Sequence, residues 1–218
     1  MTFSKDSEVV ANEFKNFLAS VGKNTAEKVN SMAEQFNVFV PKEYLELEQF
    51  SFDDCVSCDQ VERVISSMSS NRAPGIDKIH MYVIKDCLPF ILPSVTSVVN
   101  ATFKSSQFTI HWKKAKVVPI LKEGDPEIPS NNRPISLLPM LSKVCERVAH
   151  YQLNSYLSIN QRLSSKQMGN TKWDSTETSV ILTTDSIMEG IDRKRLSAIV
   201  LLDFSKAFDS INHSVLMA

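Results

Sequence analysis

Asp203 closes the apolar run 198–202, and Phe208 and Asp209 follow within six residues. A carboxylate at the end of a buried strand has a fixed direction and offers a hard oxygen to a divalent cation. Phosphoryl transfer between two such cations needs several ligands converging on ions about 4 Å apart, so one Asp is part of such a site and not the whole of it. The plainer reading is that Asp caps the turn or helix after the strand and the aromatic is core. A second set of candidate side chains lies upstream. Lys113, Lys114 and Lys116 precede the run 117–121, Lys122 ends it, and Arg133 enters a second run, 135–138. Lysine offers phosphate oxygens a point charge and arginine a fork of donors; Lys113 and Lys114 also read as solvated surface charge.

Other chemistry-bearing residues group less well. Cys55 and Cys58 have C-x-x-C spacing but no second pair to complete a zinc site, and Ser57 with Gln60 reads better as a capping box opening a helix at 58–68. The four histidines are too scattered to suggest a ligand pair.

The elements that must position these residues follow from periodicity. Val10, Phe14, Phe17, Leu18 and Val21 make a helical stripe that Gly22 is expected to stop, and Val29, Met32, Ala33 and Phe36 make a second. The polar stretch 41–59 reads as a connector. Pro74-Gly75 predicts a tight turn with Gly75 at positive φ. Helices are expected at 79–87 and 91–105, broken by Pro89 and Pro93. Gly124, Asp125, Pro126, Pro129 and Asn131 give turn chemistry between the two apolar runs, so a long β-hairpin is predicted. A helix at 140–157 follows, then one at 175–190 capped by Asp174 and Glu177, with Val180, Ile187 and Ile191 facing inward and Arg193, Lys194 and Arg195 at its end. Residues 198–202 are predicted to be a strand.

Composition bounds the rest. With 43% hydrophobic and 22% charged residues, a chain of 218 residues folds rather than staying disordered. Its longest uninterrupted apolar run, 198–202, is far short of the 18 or more residues of a membrane span, and no signal peptide opens it. An intracellular protein without a membrane segment is expected. The net charge of −1 conceals an asymmetry: residues 1–60 carry 11 acids and 5 bases, residues 61–218 carry 14 and 19. Any polyanion-binding surface is therefore expected in the later part.

Three blocks carry a family resemblance. LLDFSKAFDSINH resembles the first palm motif of reverse transcriptases in the form found in jockey-like non-LTR retrotransposons. Residues 112–138, WKKAKVVPILKEGDPEIPSNNRPISLL, resemble the fingers hairpin of the same family, and Arg72 to Asp77 matches its R-A-P-G-x-D block. A HAD-type phosphatase would want a second acid where Ser205 stands. The resemblance departs from the family pattern at Asn132, where a Tyr is usual, and at Asn170 and Thr171, where an aromatic and an Arg are usual.

The resemblance implies an α+β fold: right-hand polymerase fingers of helices plus a β-hairpin, with the first strand of an incomplete palm sheet, preceded by a helical extension. The implied divisions are 1–56, 57–196 and 197–218. It implies that Asp203 binds both catalytic Mg²⁺ ions, with Phe204 lending its backbone carbonyl, and that Phe208 stacks under the incoming sugar. Lys122 and Arg133 would hold the triphosphate, and Lys113, Lys114, Lys116 and Arg72 would meet nucleic acid. The implied reaction is RNA-directed DNA synthesis with an RNA template, a DNA primer and dNTP, the remaining palm and thumb lying beyond Ala218. The chain alone is then expected not to polymerise. A non-catalytic nucleic-acid-binding remnant and a functionless truncated copy stay open as alternatives.

Overall fold

The computed structural model describes residues 6–35, 50–53, 55–171 and 173–203. In chain order these form α1 (Ser7–Gln35), α2 (Cys58–Ser67), α3 (Met81–Ser105), β1 (Lys116–Leu121), β2 (Asn132–Leu137), α4 (Met140–Ile159) and α5 (Thr176–Asp192), with 3-10 turns at Ile110–Lys113 and Pro129–Asn131. The α+β class is as expected. Two compact units divide after Leu153.

The core of the first unit is built by α2, α3 and the first half of α4. Val61, Val64 and Ile65 of α2 meet Met81, Ile84, Leu88, Val95 and Val99 of α3 and Met140, Val144, Cys145 and Val148 of α4. Burial pushes the Cys145 thiol up to about 11, so it is a small neutral core residue. The segment before α2 is stitched down by amide side chains. Asn100 accepts the Val56 N–H at 2.9 Å and donates to its carbonyl at 3.0 Å, and Gln152 does the same for Asp53.

Ser57 and Gln60 form the expected capping box: the Gln60 N–H donates to Ser57 Oγ at 3.3 Å and the Ser57 N–H to Gln60 Oε1 at 2.8 Å. Ser57→Ala should cost about 1 kcal/mol, seen as a lowered denaturant midpoint with an unchanged slope. At the other end of α2 the Lys85 ammonium donates to the carbonyls of Ser66 and Met68 at 3.1 and 2.6 Å, where a cation also complements the helix dipole.

Five sequence expectations are corrected. Gly22 does not stop a helix: α1 runs through it, because an interior glycine costs only about 1 kcal/mol relative to alanine. Pro89 and Pro93 do not divide α3, which is one 25-residue helix; its buried face offsets the hydrogen bonds the prolines cannot make. This helix is long and apolar enough to cross a membrane by length and composition, while one of its faces forms the core described above. Gly75 is not at positive φ; Lys78 is, at 59°. The N-cap of α5 is Ser175, one residue after Asp174, and its Oγ accepts the Thr178 N–H at 3.3 Å. That hydroxyl also hydrogen-bonds to Glu177 and holds its carboxyl below the usual range. Val180 and Ile191 of α5 are exposed rather than inward.

Gly75 serves a close approach. A Cβ built there would lie 2.5 Å from the Leu138 carbonyl carbon and 2.7 Å from its oxygen. The loop 72–77 therefore rests directly on the backbone joining β2 to α4, and the Lys78 N–H donates to Gly75 O at 3.1 Å to close the turn.

Candidate nucleotide and nucleic-acid contacts

Trp112 starts the construction of the basic hairpin. It packs against the core and edge-on to Phe108 at 5.7 Å, so the chain leaves the core at a fixed point and Lys113 and Lys114 emerge exposed. β1 and β2 then pair antiparallel with Pro119 opposite Pro134 and Ile120 opposite Arg133. Two prolines can face each other only at a pair that exchanges no N–H bonds. The pairs on either side then carry the ladder, and it continues past β1 where the Lys122 N–H donates to Asn131 O at 2.8 Å. A slip of one residue would place a proline nitrogen where a donor is needed, so the prolines set the register.

That register sorts the side chains. Alternation places Lys116, Val118, Ile120, Arg133 and Ile135 on one face, with Lys122 continuing it, and Val117, Pro119, Leu121 and Asn132 on the other. α1 lies across the second face, where Val10, Phe14 and Leu18 help to line a space of about 680 Å³. The cationic face is the one α1 leaves open. Lys122 and Arg133 are diagonal neighbours there, about 7–8 Å apart by strand geometry with their Cβ atoms somewhat closer, a separation that lets both reach one polyphosphate.

Their electrostatic surroundings leave both cations available. Lys122 meets Glu123 at 3.6 Å in a solvent-exposed pair, which is worth little. Among the described residues Arg133 has no ion pair or side-chain hydrogen bond, and neither has Lys116. The loop that connects the strands is held by amides. Asn131 Nδ2 donates to Asp125 O at 3.0 Å, and Asn132 Nδ2 donates to the carbonyls of Pro126 and Ile128 at 3.0 and 2.9 Å. Gly124 sits in this loop at φ 75°. Asn132, notable in the sequence only for the aromatic it replaces, is thus a brace for the loop.

Arg72 lies elsewhere in the same unit, facing Lys143, Glu146, Arg147 and His150. Burial and the Arg72 guanidinium push the Lys143 ammonium below the usual lysine range, with Glu146 and Asp77 opposing. The folded state therefore carries a cost for this charge at neutral pH. That cost is relieved as pH rises through the folded-state pKa toward the higher unfolded value. Lys143 and Arg147 were missed in the sequence, where only the apolar face of α4 was read; their i, i+4 spacing was the available signal.

In the second unit Asp203 is exposed and the run before it is not a strand: Leu201 and Leu202 are 90% and 80% exposed. A strand exists only with a hydrogen-bonded neighbour, and none pairs with this run among the described residues. Ile199 lines a groove with Leu182 and Ile187 of α5, while Leu196 is fully exposed. Arg193 pairs with Glu189 at 2.6 Å at the helix end. Phe204, Phe208 and Asp209 lie outside the described residues. Among the described residues no three His, Cys, Asp or Glu side chains gather to hold a metal.

No protein-family model matches the chain. Over 164 residues, 75% of this chain, it is 30% identical to a Drosophila melanogaster protein described as a probable RNA-directed DNA polymerase from transposon BS, covering 18% of that protein. The corresponding protein from the X-element of the same organism is 31% identical over 163 residues, 74% of this chain and 18% of the relative. The RNA-directed DNA polymerase from mobile element jockey, again of Drosophila melanogaster, is 26% identical over 179 residues, 81% of this chain and 20% of the relative. The chain thus spans at most 20% of the length of these three relatives. By this similarity it is a relative of the RNA-directed DNA polymerases of non-LTR retrotransposons, the jockey element's among them, and corresponds to a segment of those proteins.

Proposed function

We propose that this chain supplies the fingers and the start of the palm of an RNA-directed DNA polymerase, divided as 1–56, 57–196 and 197–218, and that the open face of its hairpin holds the triphosphate of an incoming dNTP. The observation that carries the reading is the shared face of Lys122 and Arg133, set by the Pro119–Pro134 register and left uncovered by α1. Two cations of different geometry, one a point charge and one a fork, suit the β- and γ-phosphate oxygens. Lys113, Lys114 and Lys116, exposed before and at the start of β1, are assigned to a nucleic-acid backbone, as is Arg72.

In the complete reaction a primer hydroxyl attacks the α-phosphate of the dNTP on an RNA template, and two Mg²⁺ ions supply charge stabilisation when bound. Asp203 is assigned as one oxygen ligand, with the Phe204 carbonyl beside it and Phe208 under the sugar. The chain's own contribution is placement of the triphosphate, and placement with electrostatics is most of catalysis in such transfers.

The test is equilibrium binding of dATP, dADP and adenosine to the chain. Affinity is expected to rise with phosphate number and to fall with added salt; equal binding of adenosine and dATP would contradict the reading. The chain alone is further expected to add no nucleotides to an RNA-templated primer. Robust incorporation abolished by Asp203→Ala would show that it carries a complete site.

A further inference from the structure

We infer that the outer face of α3 pairs with the same face of a second copy of this chain, the two helices running antiparallel about a two-fold axis level with Val95. α3 buries one side in the core and turns the other to solvent. Along that outer side Val83, Cys87, Phe90, Ser94, Ser97 and Ala101 recur at alternating steps of four and three residues, the spacing of a two-helix seam, and all six are exposed. Phe90 stands out at 86% exposure, a ring held away from the core on a rigid helix. A contact between two helices is small against the roughly 800 Å² per partner of a standard interface, so a micromolar, reversible dimer is expected.

Charge and size along the seam select the occupant. α3 carries three charged residues, and the Lys85 ammonium is turned back to the carbonyls that end α2. The other two, Asp86 and Lys104, are 18 residues apart, five whole turns, and so stand on one edge of the outer face. Both are exposed, and among the described residues neither has an ion pair. About 27 Å separates them along the axis at 1.5 Å per residue, so they cannot meet within one copy. They lie nine residues either side of Val95. An antiparallel copy centred there sets Asp86 beside Lys104 of the second copy and Lys104 beside its Asp86. The same symmetry brings Phe90 level with Asn100 of the second copy and so between Ser97 and Ala101, whose small side chains leave room for the ring and for a close approach of the axes. Every contact occurs twice, as a two-fold interface requires. A lipid surface fits less well: α3 is long and apolar enough to span a membrane, but its outer face offers a bilayer one large ring among serines and opposite charges.

The test is sedimentation velocity of the full chain across the micromolar range, where a reversible monomer–dimer equilibrium is expected. Phe90→Ser should weaken it at least about 100-fold, since each dimer loses two rings. Asp86→Lys and Lys104→Asp should each weaken it roughly tenfold, by turning two attractions into two repulsions. An equimolar mixture of these two charge variants should associate as tightly as the wild type, because each chain then meets opposite charge at both positions. Reversals that acted by disturbing the fold would not cancel on mixing, so the mixture reports on pairing between copies. A wild-type chain that stays monomeric throughout the range overturns the inference, and that is also the outcome if another stretch of this chain covers the face. Dimers that survive Phe90→Ser, charge variants that dimerise like the wild type, or a mixture no tighter than its components overturn it too. So does recruitment of the wild-type chain, but not of Phe90→Ser, to phosphatidylcholine vesicles in place of dimerisation. These substitutions leave the hairpin untouched, so the dATP titration separates failure here from failure of the nucleotide site.

Discussion

Alanine in place of Gly75 should lower the thermal midpoint of the protein by roughly 2–12 °C. The added methyl group would meet backbone, the Leu138 carbonyl carbon at 2.5 Å and its oxygen at 2.7 Å, and backbone cannot rotate away as a flexible side chain can. Overpacking of this kind costs about 1–3 kcal/mol, and each kcal/mol moves the midpoint of a chain this size by roughly 2–4 °C. The consequence reaches the hairpin, because Leu138 lies between Leu137 at the end of β2 and Met140 at the start of α4. Displacing that junction shifts the strand that carries Arg133, so dATP affinity should fall together with stability. A midpoint within about 1 °C of wild type would mean that the loop 72–77 does not rest on the junction.

Removing both hairpin cations, Lys122→Ala with Arg133→Ala, should weaken dATP binding by about 100-fold and leave adenosine binding unchanged. Hydrogen bonds to charged groups are worth about 1.5–3 kcal/mol each, and the lower end applies because both groups sit on an open, salt-screened face. Each single variant should lose about tenfold, the two losses adding in free energy. The fold should be indifferent, as among the described residues the ion pair lost is the exposed contact of Lys122 with Glu123 at 3.6 Å. A loss of less than about threefold in the double variant would remove the hairpin from nucleotide binding.

What could be read in the sequence was local and strongly signalled. Ser57 and Gln60 announce a helix start through one reciprocal pair of bonds, and the turn residues from Gly124 to Asn131 lie between two apolar runs, so both features formed as expected. Where tertiary packing decides, the sequence misled. Gly22, Pro89 and Pro93 are breakers by propensity, yet the helices run through them. Pro-Gly at 74–75 suggested a φ requirement, whereas the structure uses the missing Cβ for a close approach. The apolar run before Asp203 has strand composition, but a strand is a pairwise object and its partner is not encoded in the run itself. Asn132 and the α4 cations escaped notice because their roles depend on what folds beside them: loop carbonyls for one, Arg72 and α2 for the others.

The most direct measurement uses a dNTP carrying a photoreactive group on its γ-phosphate, cross-linked to the chain and mapped by peptide mass spectrometry. The account predicts adducts on the open face of the hairpin, at or beside Lys122 and Arg133, and their suppression by excess dATP but not by adenosine. Adducts confined to α1 or to the second unit, or suppression by adenosine and dATP alike, would contradict it.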